Sequence, residues 1–250
     1  MALSREWVCV RLASYEDEEE GAYLTDLYRG RTGLLNNTTF ALLAPDGETL
    51  LDRSGRGPAF LIDMPHAPDV PATREQTRAF ALKLDEYTTL FEPTADLAAL
   101  PQALDYRRAL NVAACDNQPL VVAYAKSRKE RERIEKELAT LAWQPEFLGR
   151  LQYLVVEDRD QLSGLAALPK GDLVVVLQPD LFGLEGTILR KTEGKPTSAD
   201  LRALLISGLQ AFQREDLDRR RHFEQGRQAG VGWETVMPVT DEGKNRGRSR

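Results

Sequence analysis

The chain has 250 residues, a formal net charge of −6, 42% hydrophobic residues and 29% charged residues. This composition is ordinary for a globular protein and excludes a collagen-like or wholly disordered chain. The acidic balance argues against general nucleic-acid binding, and no apolar run approaches the ~20 residues that span a bilayer. With only two cysteines and two histidines, the chain predicts neither a disulfide framework nor a metal site, and we expect no cofactor.

The first region predicts a strand, a helix and a β-hairpin. Trp7–Ala13 is rich in β-forming residues, and the acidic run Glu16–Glu20 is placed where a helix dipole favours negative charge. Thr38–Ala44 and Glu48–Arg53 both read as strands, and they flank a Pro-Asp-Gly turn. The pair therefore predicts an antiparallel hairpin.

A second helix is predicted after a proline-bearing loop. Thr73 is a suitable N-cap, and Gln76 stands at the position of its capping-box partner. Apolar residues then recur at helical spacing over Phe80–Phe91. A connector follows, in which Leu104–Ala113 predicts a short helix.

From Pro119 the pattern indicates alternating strands and helices. The strands are predicted at 119–125, 151–156, 173–179 and 187–193. Ser127 is placed to cap a charged helix, Arg128–Trp143, and residues 159–168 predict a short helix. A last helix is predicted from Ala199 to about residue 215.

This order predicts a mixed four-stranded sheet between helices. The first two strands, joined by a helix, are expected to be parallel neighbours, and the last two an antiparallel hairpin. The first region repeats the order without its opening strand. We therefore predict a truncated unit at 1–92, a linker with a short helix at 93–116, a complete unit at 117–215, and a polar, partly disordered tail at 216–250.

The residues that repeat this order resemble the thioredoxin-like superfamily. The resemblance rests on the stretch Asn37–Gly47 with the Glu-Thr-Leu that follows it, and on Gly55. In the second copy, residues 119–125 resemble the first strand of the family and residues 173–194 its terminal hairpin. The resemblance implies the α/β fold class, with two thioredoxin-like α/β/α units, each a mixed sheet with a C-terminal β-hairpin and flanking helices.

The chain departs from this family where its chemistry is performed. The family uses two thiols two residues apart at a helix N-terminus, because the helix lowers the pKa of the first thiol. This sequence has no Cys-x-x-Cys, and the matching segment of the second copy is Lys126-Ser127-Arg128-Lys129. Thr38 and Asp172 stand where the family has its cis-proline. Dithiol–disulfide exchange is therefore not expected.

Two functional hypotheses remain. The first is a redox-inactive thioredoxin-like module, in a bacterial protein, that binds a protein or peptide beside the vacant site or along a sheet edge. The second is an oxidoreductase that uses one cysteine. Cys9 lies between valines in a strand and is expected to be a small core residue, whereas Cys115 lies in a polar stretch and is expected to be exposed.

The candidate partner-binding residues follow from turns and helix starts. Arg31 and Arg56 each lie between glycines that suit a turn or anion contact, and Thr38 begins a strand. Ser127 and Arg128 open the charged helix. Because the start of the sequence shows no signal peptide, we expect a cytoplasmic protein, or a cell-envelope protein if the true start lies upstream.

Overall fold

Two compact units make up the chain, one of Met1–Thr94 with Trp233–Arg250 and one of Ala95–Gly232. The computed structural model describes these residues: 7, 18–28, 40–54, 61–62, 73–91, 99–163, 165, 168, 170–215 and 218–232. The predicted candidates Cys9, Arg31, Thr38 and Arg56 lie outside the described residues.

The described part of the first unit contains two helices and a tight turn. Helix α1 spans Glu18–Tyr28 and helix α2 spans Arg74–Thr88. Leu43 and Leu50 form an antiparallel bridge around the Pro-Asp-Gly turn, and the Gly47 N–H donates to the Ala44 carbonyl over 3.0 Å. The predicted hairpin turn is therefore present, whereas a complete second thioredoxin-like unit stays a prediction.

Helix α2 begins as its sequence predicts. The Thr73 hydroxyl accepts from the Gln76 N–H, and the Gln76 side chain accepts from the Thr73 N–H, which completes the capping box. The helix then contributes to a small core with Leu42, in which the rings of Phe40 and Phe80 lie 5.9 Å apart. The periodicity of this helix thus predicts its buried face correctly.

The second unit is built on one mixed sheet, as the pattern predicts. Its strands are β1 (Leu120–Tyr124), β2 (Gln152–Val156), β3 (Leu173–Pro179) and β4 (Gly186–Glu193). They are ordered β2-β1-β3-β4, with β1 and β2 parallel and the other neighbours antiparallel. The fold class is therefore mixed α/β.

Helices cover both faces of this sheet because its central strands are apolar on both sides. Alternate residues face opposite ways along a strand, so Val121 and Ala123 pack with helices α4 (Arg128–Ala142) and α5 (Ser198–Ala211). Leu120 and Val122 pack on the other face with helix α3 (Tyr106–Cys115). All four of these strand residues are fully buried.

Three segments differ in detail from the pattern. The short helix predicted at residues 159–168 is a 3-10 helix over Arg159–Leu162. Helix α3 confirms the short helix predicted at 104–113 but begins and ends two residues later, and it contributes Ala109, Leu110 and Ala113 to the core of the second unit. Helix α6 (Arg219–Gln228) lies where the pattern indicates only a polar extension, because its few apolar residues give no helical stripe.

Candidate functional site

Three strands of the second unit meet at one end of the sheet. Tyr124, the last residue of β1, pairs with Val156 at the end of β2 and with Leu173 at the start of β3. Loops that follow the carboxyl ends of parallel strands form the usual crevice for ligands in α/β sheets. The residues just beyond these three positions are therefore the candidate site.

Hydrogen bonds hold the loop between β1 and α4 in place. The Lys126 N–H donates to Oδ1 of Asp172 over 2.8 Å, and Nη1 of Arg131 donates to the Ala125 carbonyl over 3.2 Å. The Gly194 N–H donates to the Asp172 carbonyl over 3.0 Å. Asp172 therefore joins the loop before α4 to the start of β3 and the end of β4.

Two predicted site residues open helix α4 at this loop. Ser127 is the N-cap of α4, but its exposed side chain makes no capping hydrogen bond. The side chain of Arg128 is 84% exposed, and its Nε lies 2.7 Å from Oε1 of Glu132. The structure thus brings both candidates to the same end of the sheet and leaves the Ser127 hydroxyl exposed.

A groove of about 530 Å³ runs from the start of α4 along β2. Arg128 lies in its wall beside Arg131, whose Nη2 lies 3.5 Å from Oε1 of Glu157. Val155 is the apolar residue of the lining. The groove is lined by Gln102, Arg128, Arg131, Glu132, Glu135, Val155 and Glu157.

The outer edge of β2 forms part of this groove and is only partly paired. Gln102 forms a parallel bridge with Tyr153, and the Ala103 N–H donates to the Tyr153 carbonyl over 3.0 Å. Two residues further along, the Val155 N–H donates to the side-chain Oε1 of Gln102 over 2.9 Å. An amide side chain therefore occupies the place that the backbone carbonyl of another strand takes in a sheet.

A second hydrogen bond orients the Gln102 amide. Its Nε2 donates to Oε1 of Glu135 on α4 over 3.1 Å. The amide therefore accepts from β2 and donates to α4 at the same time. The groove offers backbone groups of an edge strand, one apolar side chain and charges of both signs, which are the groups that recognise an extended peptide.

Cys115 lies away from this groove. The exposed residue is at the C-terminal end of α3, where its Sγ lies 4.0 Å from Oδ1 of Asn111. Ser127 follows β1, whereas Cys115 precedes it, so the length of the strand, roughly 15 Å, separates their two ends of the sheet.

Sequence reasoning identified Ser127 and Arg128 but missed most of the groove. Gln102, Arg131 and Glu157 were not among the candidates. Glu157 carries a readable signal, because a polar residue directly after a buried parallel strand lies at the ligand-binding end of the sheet. Gln102 carries no such signal, since its partner, Val155, is 53 residues away in the chain.

Comparison of the chain with protein-family models, with curated proteins and with solved structures gives no match. Within the described ranges, no helix is both long and apolar enough to cross a bilayer. The same residues form no group of three or more His, Cys, Asp or Glu side chains suited to a metal ion.

Proposed function

We propose that this protein is a thioredoxin-like module without dithiol chemistry, and that it binds an extended segment of a partner protein in the groove between α4 and β2. The observation that carries the proposal is the hydrogen bond between the Val155 N–H and the Gln102 side chain. A peptide strand that displaces this side chain gains the backbone bonds of β2.

The strand order supports the thioredoxin-like part of the proposal. A helix-connected parallel pair, an antiparallel hairpin and a final helix are the same order that underlies the resemblance seen in the sequence. At the start of α4, where a dithiol enzyme of this family has its Cys-x-x-Cys, this chain has Lys126-Ser127-Arg128-Lys129. Without a cysteine in this segment, the chain supplies no dithiol for disulfide exchange there.

The position of Asp172 supports binding rather than exchange. Its side chain accepts the Lys126 N–H, at the place where the family uses cis-proline to present backbone groups to a substrate. The proposal places the peptide at the β2 edge instead, because the groove there adds Val155 and charged side chains to the backbone contacts. The partner is an extended peptide that pairs with Val155 and contacts the charged side chains of the groove.

A displayed library of random peptides, selected against the full chain, tests this proposal. Enriched peptides are expected to bind Val155→Lys about tenfold more weakly than wild type, because the variant replaces the apolar side chain of the groove lining with a charged one. Arg150→Ala, at the opposite end of β2, is the matched control and retains full binding. If both variants bind the peptides as wild type does, the groove is not the binding site.

Insulin-disulfide reduction with dithiothreitol tests the alternative function. Wild type and the Cys9→Ser/Cys115→Ser double variant are both expected to show no turnover above the dithiothreitol background. Turnover by wild type that the double variant lacks would contradict the proposal and identify a single-cysteine oxidoreductase.

A further inference from the structure

Helix α6 presents an exposed stripe of arginine and phenylalanine. Arg220, Phe223 and Arg227 follow the i, i+3, i+7 spacing that aligns side chains on one helix face. Arg220 is 88% exposed and Phe223 56% exposed. The guanidinium of Arg227 lies 6.0 Å from the centroid of the Phe223 ring, so the three side chains form one surface, here called the Arg-Phe stripe.

The opposite face of α6 attaches the helix to the hairpin between β3 and β4. The His222 ring lies 5.0 Å from that of Phe182, centroid to centroid, and Gly226 is buried against the same ring. A Cβ added at Gly226 would lie 3.2 Å from Cε1 of Phe182. The helix is therefore held by His222 and Gly226, and this contact turns the Arg-Phe stripe to the outside.

Helix stability accounts for the stripe only in part, since Arg227 lies in the last turn, where the dipole favours positive charge, and Arg220 forms an ion pair with Glu224. Arg220 and Arg221 lie in the first turn, where the helix dipole disfavours positive charge, and that turn contains no acidic residue. Asp218, the N-cap, accepts the Arg221 N–H over 2.7 Å and provides the favourable contact at this end. An exposed phenylalanine likewise adds little to the stability of a folded monomer.

The composition of the stripe is that of a protein interface. Arginine and aromatic residues are enriched at the centres of such interfaces, where they supply most of the binding energy. Helix α6 contains four arginines and one glutamate in a chain whose net charge is −6. This local reversal of sign is complementary to an acidic partner.

We propose that the Arg-Phe stripe docks an acidic protein segment that carries an apolar side chain for Phe223. The exposed Phe223 ring favours a protein partner over a polyphosphate chain, because a polyphosphate has no apolar group to contact the ring. This surface is independent of the groove beside β2.

Fluorescence anisotropy with the full chain tests this proposal with three labelled probes. These are a peptide that alternates Glu with Leu, an oligoglutamate of equal length, and an oligothymidylate. The Glu-Leu peptide is expected to bind most tightly. Its affinity should fall about tenfold in Arg220→Gln/Arg227→Gln and about tenfold in Phe223→Ala.

Matched variants separate the stripe from general effects of charge and apolar surface. Lys136→Gln/Lys170→Gln removes two exposed charges elsewhere, and Leu104→Ala removes a leucine that is 74% exposed. Both controls are expected to bind the Glu-Leu peptide as wild type does. Circular dichroism of every variant checks that the helices are retained.

Three results would overturn the proposal. The first is equal loss of peptide binding in the control variants, which would assign the effect to the general charge and apolar surface of the protein. The second is oligothymidylate binding at least as tight as peptide binding, which would identify a nucleic-acid surface. The third is concentration-dependent sedimentation that Phe223→Ala abolishes, which would make a second copy of the chain the occupant.

Discussion

At the scale of single residues, two helix N-caps of the second unit differ in whether their side chains form a capping hydrogen bond. Thr197, which begins α5, forms a complete capping box with Asp200. Ser127, which begins α4, has the same suitable chemistry and makes no capping bond. A cap that satisfies a helix N–H stabilises the fold, and one that does not is available for other contacts.

This contrast predicts different costs for two similar substitutions. Thr197→Ala should lower the free energy of unfolding by about 1 kcal/mol, because it removes the capping oxygen. Ser127→Ala should leave the free energy of unfolding nearly unchanged, since no hydrogen bond from its side chain to the helix is lost. Urea unfolding of both variants measures the difference, and equal costs would contradict the assignment of Ser127.

The same capping box predicts how the pKa of Asp200 responds to a substitution at Thr197. Hydrogen bonds from the side chain and the backbone of Thr197 hold the pKa of Asp200 below its ordinary value of 3.8. A carboxyl group whose pKa is lowered by folding stabilises the folded state at pH values above its unfolded-state pKa. This stabilisation is lost as the pH falls through the folded-state pKa. In Thr197→Ala the pKa of Asp200 should therefore rise toward 3.8. NMR titration of the carboxyl group checks this, and an unchanged pKa would exclude Thr197 as its cause.

At the scale of elements, helix α5 lies unusually close to strand β3. Gly208 is buried in the last turn of α5, and glycine is a poor helix former. A Cβ added there would lie 2.7 Å from Cγ1 of Val176 in β3. The absence of a side chain thus allows the close packing of the helix on the sheet.

Gly208→Ala should therefore destabilise the protein by about 1–3 kcal/mol, although alanine favours the helix by about 1 kcal/mol. The steric cost exceeds the gain in propensity because both branches of Val176 lie in the way. Adding Val176→Ala makes room for the new methyl group, so the double variant should be more stable than the sum of the two single changes predicts. Thermal unfolding of all four proteins completes this cycle, and additive effects would contradict the contact.

At the scale of the second unit as a whole, the β3–β4 hairpin packs against a helix that precedes it by many residues. Gly183, in the hairpin turn, has a φ of +67°, and a Cβ added there would lie 2.6 Å from Cα of Asn111 in α3. Gly149 has the same φ of +67° and nothing within 4 Å of its added Cβ. The two glycines share one backbone conformation and differ in their surroundings.

Gly183→Ala should accordingly cost more stability than Gly149→Ala. Both variants incur the strain of a left-handed backbone, about 1 kcal/mol. Only Gly183→Ala also forces the hairpin away from the α3 backbone, which cannot move aside as a flexible side chain can. Comparison of the urea midpoints measures this extra cost. Equal midpoints would show that the hairpin moves away from α3 without a loss of stability.

Much of the architecture of the second unit could be predicted because its signals are local. Continuous apolar runs predicted β1 and β3 as buried strands. Thr197 and Asp200 lie at the start of the predicted last helix. The parallel and antiparallel pairings followed from the lengths of the connections. Each of these inferences depends on residues within a few positions of one another.

The sequence by itself determined these elements and their order, together with Ser127 and Arg128 at the start of α4. Only the tertiary structure placed Gln102 against Val155, joined Lys126 to Asp172, and turned the Arg-Phe stripe of α6 outward. Local hydrogen bonds and periodicity encode an element within its own residues. A contact between residues 40 or more positions apart instead depends on how the packed elements bring distant parts of the chain together, and no local pattern predicts it.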